Sequence, residues 1–227
     1  MKLSMIVPAL DEEALLPATL AALAPLRGRR HEVIVVDGGS MDRTREIARA
    51  GADRVLDAAR GRARQMNAGA RAAAGDVLVF VHADTLLPPD ADECIRRALE
   101  TGRSWGRFDV RIEGRSAVLG VVAALMNLRS RATGIATGDQ AMFVRREAFR
   151  RVGGFPDVEL MEDLVLSRAL GGVSPPVCLR ERVTTSGRRW ERGGVLRTVL
   201  LMGWLRLRFF LGADPARLAR RYEKKSD

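Results

Sequence analysis

The sequence predicts an α/β fold, a mostly parallel central sheet with helices on both faces, followed by C-terminal helices. Two observations carry this. The first half holds four short, continuous apolar runs, and helical patterns separate them. Strands buried on both faces read as unbroken β-branched runs, whereas a sheet with one wet face alternates. The length of 227 residues suits one such domain with an appended segment, and a chain of this size buries roughly 70% of its unfolded surface without disulfides or metals.

The elements follow in order. Leu3-Ser-Met-Ile-Val-Pro8 reads as a buried strand stopped by Pro8. Apolar residues at 15, 16, 20 and 23 give the stretch from Glu12 to Leu26 the spacing of a helix that covers a sheet. Val33 to Asp37 is a second strand, ended by Gly38-Gly39, and Ser40 is placed to cap a helix running to Arg49. Arg54 to Asp57 is a short third strand, 60–74 an Ala- and Arg-rich helix, and Asp76 to His82 the clearest strand. In the second half, Ser104–Ile112 and Gln140–Arg145 read as strands and Ala117–Leu128 as an apolar helix. A short helix ends at Gly153-Gly154. Asp163–Leu170 is helical, with Glu162 and Asp163 at the end where negative charge is favoured. No internal repeat or linker is visible, and the chain divides into a domain of residues 1–190 and a basic, apolar segment of 191–227.

Charge sharpens that division. The net charge is +10, from 38 Lys+Arg against 28 Asp+Glu. Residues 180–227 hold 13 Lys+Arg against 5 Asp+Glu, a net +8, which leaves a nearly neutral body at +2. A hydrophobic fraction of 47% with 9 prolines excludes disordered and collagen-like classes. Cys94 and Cys178 form no CxxC pattern and suit a reducing compartment. The first apolar run is too short for a signal peptide.

In parallel α/β sheets, ligands bind beyond the carboxyl ends of the strands. Asp11, Asp37 and Asp84 each fall just past a predicted strand, so three carboxylates converge on one sheet edge. The segments around them are Ile6-Val-Pro-Ala-Leu-Asp-Glu-Glu13, Val35-Val-Asp-Gly-Gly-Ser-Met-Asp-Arg-Thr44 and Val81-His-Ala-Asp-Thr85. With Gly138-Asp-Gln-Ala-Met-Phe-Val-Arg145, Gly153-Gly-Phe155 and Met161-Glu-Asp-Leu-Val-Leu-Ser-Arg168 in order, the chain resembles the family 2 glycosyltransferases of the Rossmann-like GT-A fold over about residues 1–190. It is most similar to a small bacterial subgroup with His-Ala-Asp in place of Asp-x-Asp.

The resemblance implies an inverting transfer of a sugar from a nucleotide-diphosphate donor, a UDP-sugar above others, to a hydroxyl acceptor. It places Pro8, Leu10 and Glu13 against the nucleoside, Asp37 on the base, and Arg64 and Asn67 near the donor. Arg64 either contacts the phosphates or belongs to a solvated helix face. Asp84 is implied to hold Mn²⁺ or Mg²⁺ beside the diphosphate. His82 replaces the first carboxylate, and is either a second metal ligand or a neutral strand-end residue. Asp163 is implied as the base that takes the acceptor proton, with Glu162 as the alternative. Asp139 and Gln140 are expected on the acceptor side. Arg188-Arg-Trp190 partly matches the Gln-x-x-Arg-Trp element of processive members, but Ser186 stands where Gln would be, which points to a non-processive enzyme. Arg189 closes over the diphosphate or stacks on a sugar, and Trp190 does the same or fills the core.

The apolar run Thr198–Leu205 is far below the ~20 residues of a membrane span. With Trp204, Phe209, Phe210 and the flanking arginines, residues 195–225 suit either an interfacial helix on anionic lipid, a helix packed on the domain, or a homodimer contact. These readings place the protein in the cytoplasm, or peripherally on the inner face of the cell membrane with a lipid-linked acceptor. Two other classes compete. A sugar-1-phosphate nucleotidyltransferase would carry a Gly-rich, basic loop after the first strand, where this chain has Asp11-Glu12-Glu13. A nucleic-acid-binding module is suggested by charge alone; aromatics are 5% and no nucleic-acid motif is present, so no nucleic-acid partner is expected.

Overall fold

The computed structural model describes residues 1–223; Lys224 and Lys225 of the basic segment lie outside them. One eight-stranded sheet organises the chain. Its strands are β1 (Leu3–Ala9), β2 (Glu32–Asp37), β3 (Arg54–Asp57), β4 (Val77–Phe80), β5 (Thr85–Leu86), β6 (Trp105–Glu113), β7 (Phe143–Arg145) and β8 (Val177–Ser186), ordered β3-β2-β1-β4-β7-β6-β8-β5. The β3-β2-β1-β4 half is parallel, as expected from the apolar runs. The other half is mixed: β7 is antiparallel to β4 and β6, β8 parallel to β6, and β5 antiparallel to β8.

Pro8 does not stop β1. The strand runs through it to Ala9, in register with Val36 and Asp37 of β2. The Ile6 carbonyl accepts from Val81 N on the β4 side, so by the two-residue alternation Pro8 turns its missing donor to that same side, beyond the end of β4 at Phe80. No ladder bond is lost.

Helices α1 (Leu16–Gly28), α4 (Ala91–Glu100) and α5 (Val118–Thr133) cover one face, where Met5, Val7, Val33 and Val35 meet Leu20, Leu23, Ile95 and Val122. The other face carries α3 (Arg62–Ala72), α6 (Arg146–Arg151) and α7 (Glu162–Gly171), against Ile6, Ile34 and Val36. Alternate residues of one strand thus feed two cores. Gly69 lets α3 approach β1, since a Cβ there would sit 2.4 Å from Ile6 Cγ2. Helix α2 (Thr44–Gly51) flanks the β2–β3 edge. After β8, α8 (Arg188–Gly193), α9 (Val195–Phe210) and α10 (Pro215–Glu223) follow. Leu205 and Leu218 pack on Leu160, Met161 and Leu164 and make a third cluster at the start of α7.

Candidate active site

The carboxyl ends of β1 and β4, the segment before β7, the start of α7 and the C-terminal helices enclose one cleft. Its adjoining cavities share Pro8, Glu12, Arg62, His82, Asp139, Arg189, Met202 and Tyr222 as walls. Asp84 and Trp190 line one end, and Glu162 and Asp163 the other.

The loops after β1 and β2 are sewn to each other. Asp11 N donates to Ser40 Oγ and Met41 N to Asp11 Oδ1. Glu13 N donates to Asp42 while Arg43 N donates to Glu13, and Glu12 N donates to Thr44 Oγ1. Asp37 is fully buried, and its carboxylate accepts from Gly39 N, Ser40 N and Ser40 Oγ. Of the residues placed against the nucleoside by resemblance, Pro8 and Leu10 line the cleft; Glu13 and Asp37 spend their carboxylates bracing these loops. On the cleft side, Glu12 pairs with Arg188, whose Nη2 also lies 3.8 Å from Asp84 Oδ2.

Helix α3 turns out differently from its motif. Arg64 points away and pairs with Asp157 at 2.7 Å, while Arg62, two residues earlier and so about 200° around the helix, faces the cleft. Desolvation by the cleft walls opposes the Arg62 charge, but Glu162, Asp139, Asp163 and Asp84 outweigh it and raise its pKa. Asn67 holds the backbone of Phe155 from both sides, donating to its carbonyl at 2.8 Å and accepting from its N–H at 3.0 Å. That clamp docks Phe155 on Phe80, with ring centroids 4.8 Å apart. Asn67→Ala is expected to destabilise the fold by about 1–3 kcal/mol in urea titration, because both backbone groups lose their partner.

His82 follows β4 and sends Nδ1 to within 3.4 Å of Asp139 Oδ1. Its opposite edge lies on Gly138, where a Cβ would come 2.3 Å from Cε1 and Nε2. Burial works against the Asp139 charge, but the His82 hydrogen bond and the Arg62 and Arg189 charges win, and its pKa falls to about 2. Gln140 is turned inward and fully buried: its Oε1 accepts from Thr137 N and its Nε2 donates to Asn127. Arg189 lies over the Tyr222 ring at 4.6 Å, and Trp190 is half-buried against the first core.

Asp163 Oδ2 accepts from Gly138 N at 2.8 Å, which ties α7 to the Asp139 segment. The residues preceding and following these acids, Met161 (φ 69°) and Ala141 (φ 43°), are both left-handed, a conformation that costs non-glycine residues about 1–2 kcal/mol each. Burial lifts the Glu162 carboxyl above its ordinary range, Asp163 lifts it further, and Arg62 and His82 oppose. The folded state therefore binds this proton more tightly than the unfolded chain, and stability falls as pH rises from ~4.3 through the raised value. Glu162→Gln is expected to raise Tm by about 2–4 °C at pH 8 and to change it little at pH 4, read by thermal melts across that range.

Among the described residues, no group of three or more His, Cys, Asp or Glu is gathered to hold a metal ion. Asp84 offers a hard carboxylate oxygen at the cleft wall, while His82 turns Nδ1 to Asp139. The side chains therefore fit a cation held by Asp84 and completed by ligand oxygens.

The sequence pattern of Glycosyl transferase family 2 matches residues 4–153. The chain belongs to this family. A Pseudomonas aeruginosa (strain LESB58) undecaprenyl-phosphate 4-deoxy-4-formamido-L-arabinose transferase is 34% identical over 166 residues, 65% of this chain and 47% of that protein. The chain thus spans about half the length of the curated relatives it matches. Among solved structures, S. aureus TarS (residues 1–349) in complex with UDP-GlcNAc is similar with a TM-score of 0.67 and 18% identity over 82% of this chain and 58% of the other. A Pyrobaculum calidifontis mannosyltransferase in complex with GDP-Man and Mn²⁺ gives 0.61 and 23% over 81% and 56%. These neighbours share the GT-A fold with the family 2 chain described here. Family membership sets the chain apart from the sugar-1-phosphate nucleotidyltransferases.

Proposed function

We propose that the protein transfers a glycosyl group, with inversion and without processivity, from a nucleotide-diphosphate sugar to an acceptor hydroxyl. The observation that carries this is the division of the cleft. Arg188 lies beside Asp84 at one end, the Glu162–Asp163 pair stands at the other, and Arg62 and Arg189 line the cleft between them. Guanidinium groups suit a diphosphate, which they meet with paired hydrogen bonds. The TarS and mannosyltransferase complexes, with their UDP- and GDP-sugars, support this donor class. Pro8 and Leu10 offer the nucleoside an apolar wall.

In this reading the acceptor oxygen attacks the anomeric carbon from the Asp163 side, the bond from that carbon to the diphosphate breaks, and the acceptor proton passes to the Asp163 carboxylate. The nucleoside diphosphate leaves against Arg62, Arg188 and Arg189. Mn²⁺ or Mg²⁺, when held by Asp84, supplies further neutralisation of the leaving group. His82 keeps Asp139 ionised and fixed, so that Asp139 and Arg189 orient the acceptor.

The acceptor is lipid-linked in this proposal, which the lipid phosphate in the Pseudomonas relative's name supports. Helix α9 supports it too: Thr198, Leu201 and Met202 face the cleft, while Leu196, Leu200 and Leu207 are exposed on its outer side. Among the described residues no helix is long and apolar enough to cross a membrane.

Calorimetry with UDP and GDP, followed by release of nucleotide from UDP- and GDP-sugars, tests the donor assignment; absence of binding to either would refute it. Arg62→Ala is expected to weaken nucleoside-diphosphate binding at least tenfold, whereas Arg64→Ala changes it less than twofold. The reverse order would return the phosphate contact to Arg64.

A further inference from the structure

Among the described residues, Arg129 and Arg206, between α5 and α9, keep buried N–H donors that no acceptor meets. Nε and Nη2 of Arg129, on α5, and Nε of Arg206, on α9, are closed off from solvent and make no hydrogen bond among the described residues. Burial lowers the Arg129 pKa to about 10; Arg206 and Arg107 add repulsion and Asp163 opposes it. Burial likewise lowers Arg206, with Asp163 and Asp139 opposing. Both stay charged at neutral pH. Desolvated donors of this kind are costly unless something accepts from them. Arg206 lines the cavity that holds Glu162 and Asp163.

The surroundings say what that acceptor is attached to. Helix α5 packs beside α9, and both turn apolar side chains outward: Val121, Leu125 and Leu128 on one, Leu196, Leu200 and Leu207 on the other. At 100° per residue, the three α9 leucines fall within about 40° of each other, and Arg206 stands roughly a quarter turn aside toward the cleft.

We propose that Arg129 and Arg206 form an anion subsite for a phosphate group of the acceptor, with the outer faces of α5 and α9 meeting its hydrocarbon part. The proposal rests on the acceptor reading given above and names its chemistry. A phosphate on these two arginines is held beside Asp163, where the acceptor oxygen must be deprotonated or delivered.

The test is anion-dependent stability of the full chain at constant ionic strength. Inorganic phosphate at 10 mM is expected to raise Tm by about 3–5 °C over chloride, and the shift is expected to vanish in Arg129→Met/Arg206→Met. Without phosphate, that variant is expected to melt higher than the parent, since two desolvated like charges are gone; a structural role would lower it instead. Equal phosphate shifts in both proteins, or none in the parent, would overturn the subsite. Vesicles with and without 2% undecaprenyl phosphate then separate the sources. Retention that requires the lipid phosphate and both arginines supports the lipid acceptor; a phosphate shift without such retention would overturn the hydrocarbon contact on α5 and α9 and leave a soluble phosphorylated acceptor. These readouts need no sugar transfer, so a protein that binds phosphate through the pair but releases no nucleotide would sink the transferase reading alone.

Discussion

Asp163→Asn is expected to lower kcat by about 10³-fold while nucleoside-diphosphate binding changes less than threefold. General-base assistance contributes roughly 10²–10⁴, and Asn keeps the hydrogen bond from Gly138 N through its carbonyl oxygen while losing the ability to take a proton. The other Asp163 oxygen accepts from Leu164 N, a bond that Asn gives up, so a thermal melt of the variant accompanies the rate measurement. Glu162→Gln is the companion measurement. Glu162 and Asp163 line the same cavity, where burial first and the neighbouring Asp163 second hold the Glu162 carboxyl above its ordinary range. Glu162→Gln is expected to keep most of the parent kcat, because Asp163 still offers its carboxylate to the acceptor proton. If Asp163→Asn keeps more than a tenth of the parent rate and Glu162→Gln loses it, the base is Glu162.

Asp84→Ala is expected to reduce kcat/KM by at least 10³-fold and to abolish any gain in UDP or GDP affinity from Mn²⁺. The geometry makes the outcome informative in both directions. Arg188 Nη2 sits 3.8 Å from Asp84 Oδ2 and also pairs with Glu12. If the arginines alone neutralised the diphosphate, removing Asp84 would free Arg188 and tighten nucleotide binding. Weaker binding in the variant supports a cation on Asp84; tighter binding would replace that cation with arginine.

The parallel half of the sheet was legible because β1, β2 and β4 are continuous apolar runs, fully buried, that no helix period explains. Strand β8 was not. Arg180, Glu181 and Arg182 interrupt its apolar residues, and it is only half-buried, so neither alternation nor a run is visible. Helix α4 was also missed; Cys94, Ile95, Ala98 and Leu99 form its inner face, too few to stand out between charged neighbours. In the cleft, ordered motifs located Asp84, Asp139, Glu162, Asp163 and Arg189 on its walls. They gave spacing without helical phase, so they did not show that Arg62 lines the cleft while Arg64 pairs with Asp157. They were silent too on Gln65, whose buried amide donates to the Ala9 and Val36 carbonyls and pins α3 to the ends of β1 and β2. The apolar stripe of α9 was obscured because Arg197, Arg206 and Arg208 flank it on both sides, and only the packing of its inner face shows which side is outward.

The cross-bracing of the loops after β1 and β2 has a thermodynamic consequence. Asp11, Glu13, Asp37, Asp42 and Ser40 exchange hydrogen bonds with each other's backbone across 29 to 30 residues of chain or within the β2 turn. The ordering entropy of this wall is spent during folding. A ligand that docks on it then loses mainly its own freedom, and association should proceed with a small conformational entropy term and a rigid-body on-rate. The same reciprocity makes the wall fail as a unit, because removing Asp11, Glu13 or Asp42 strands a donor on the opposite loop.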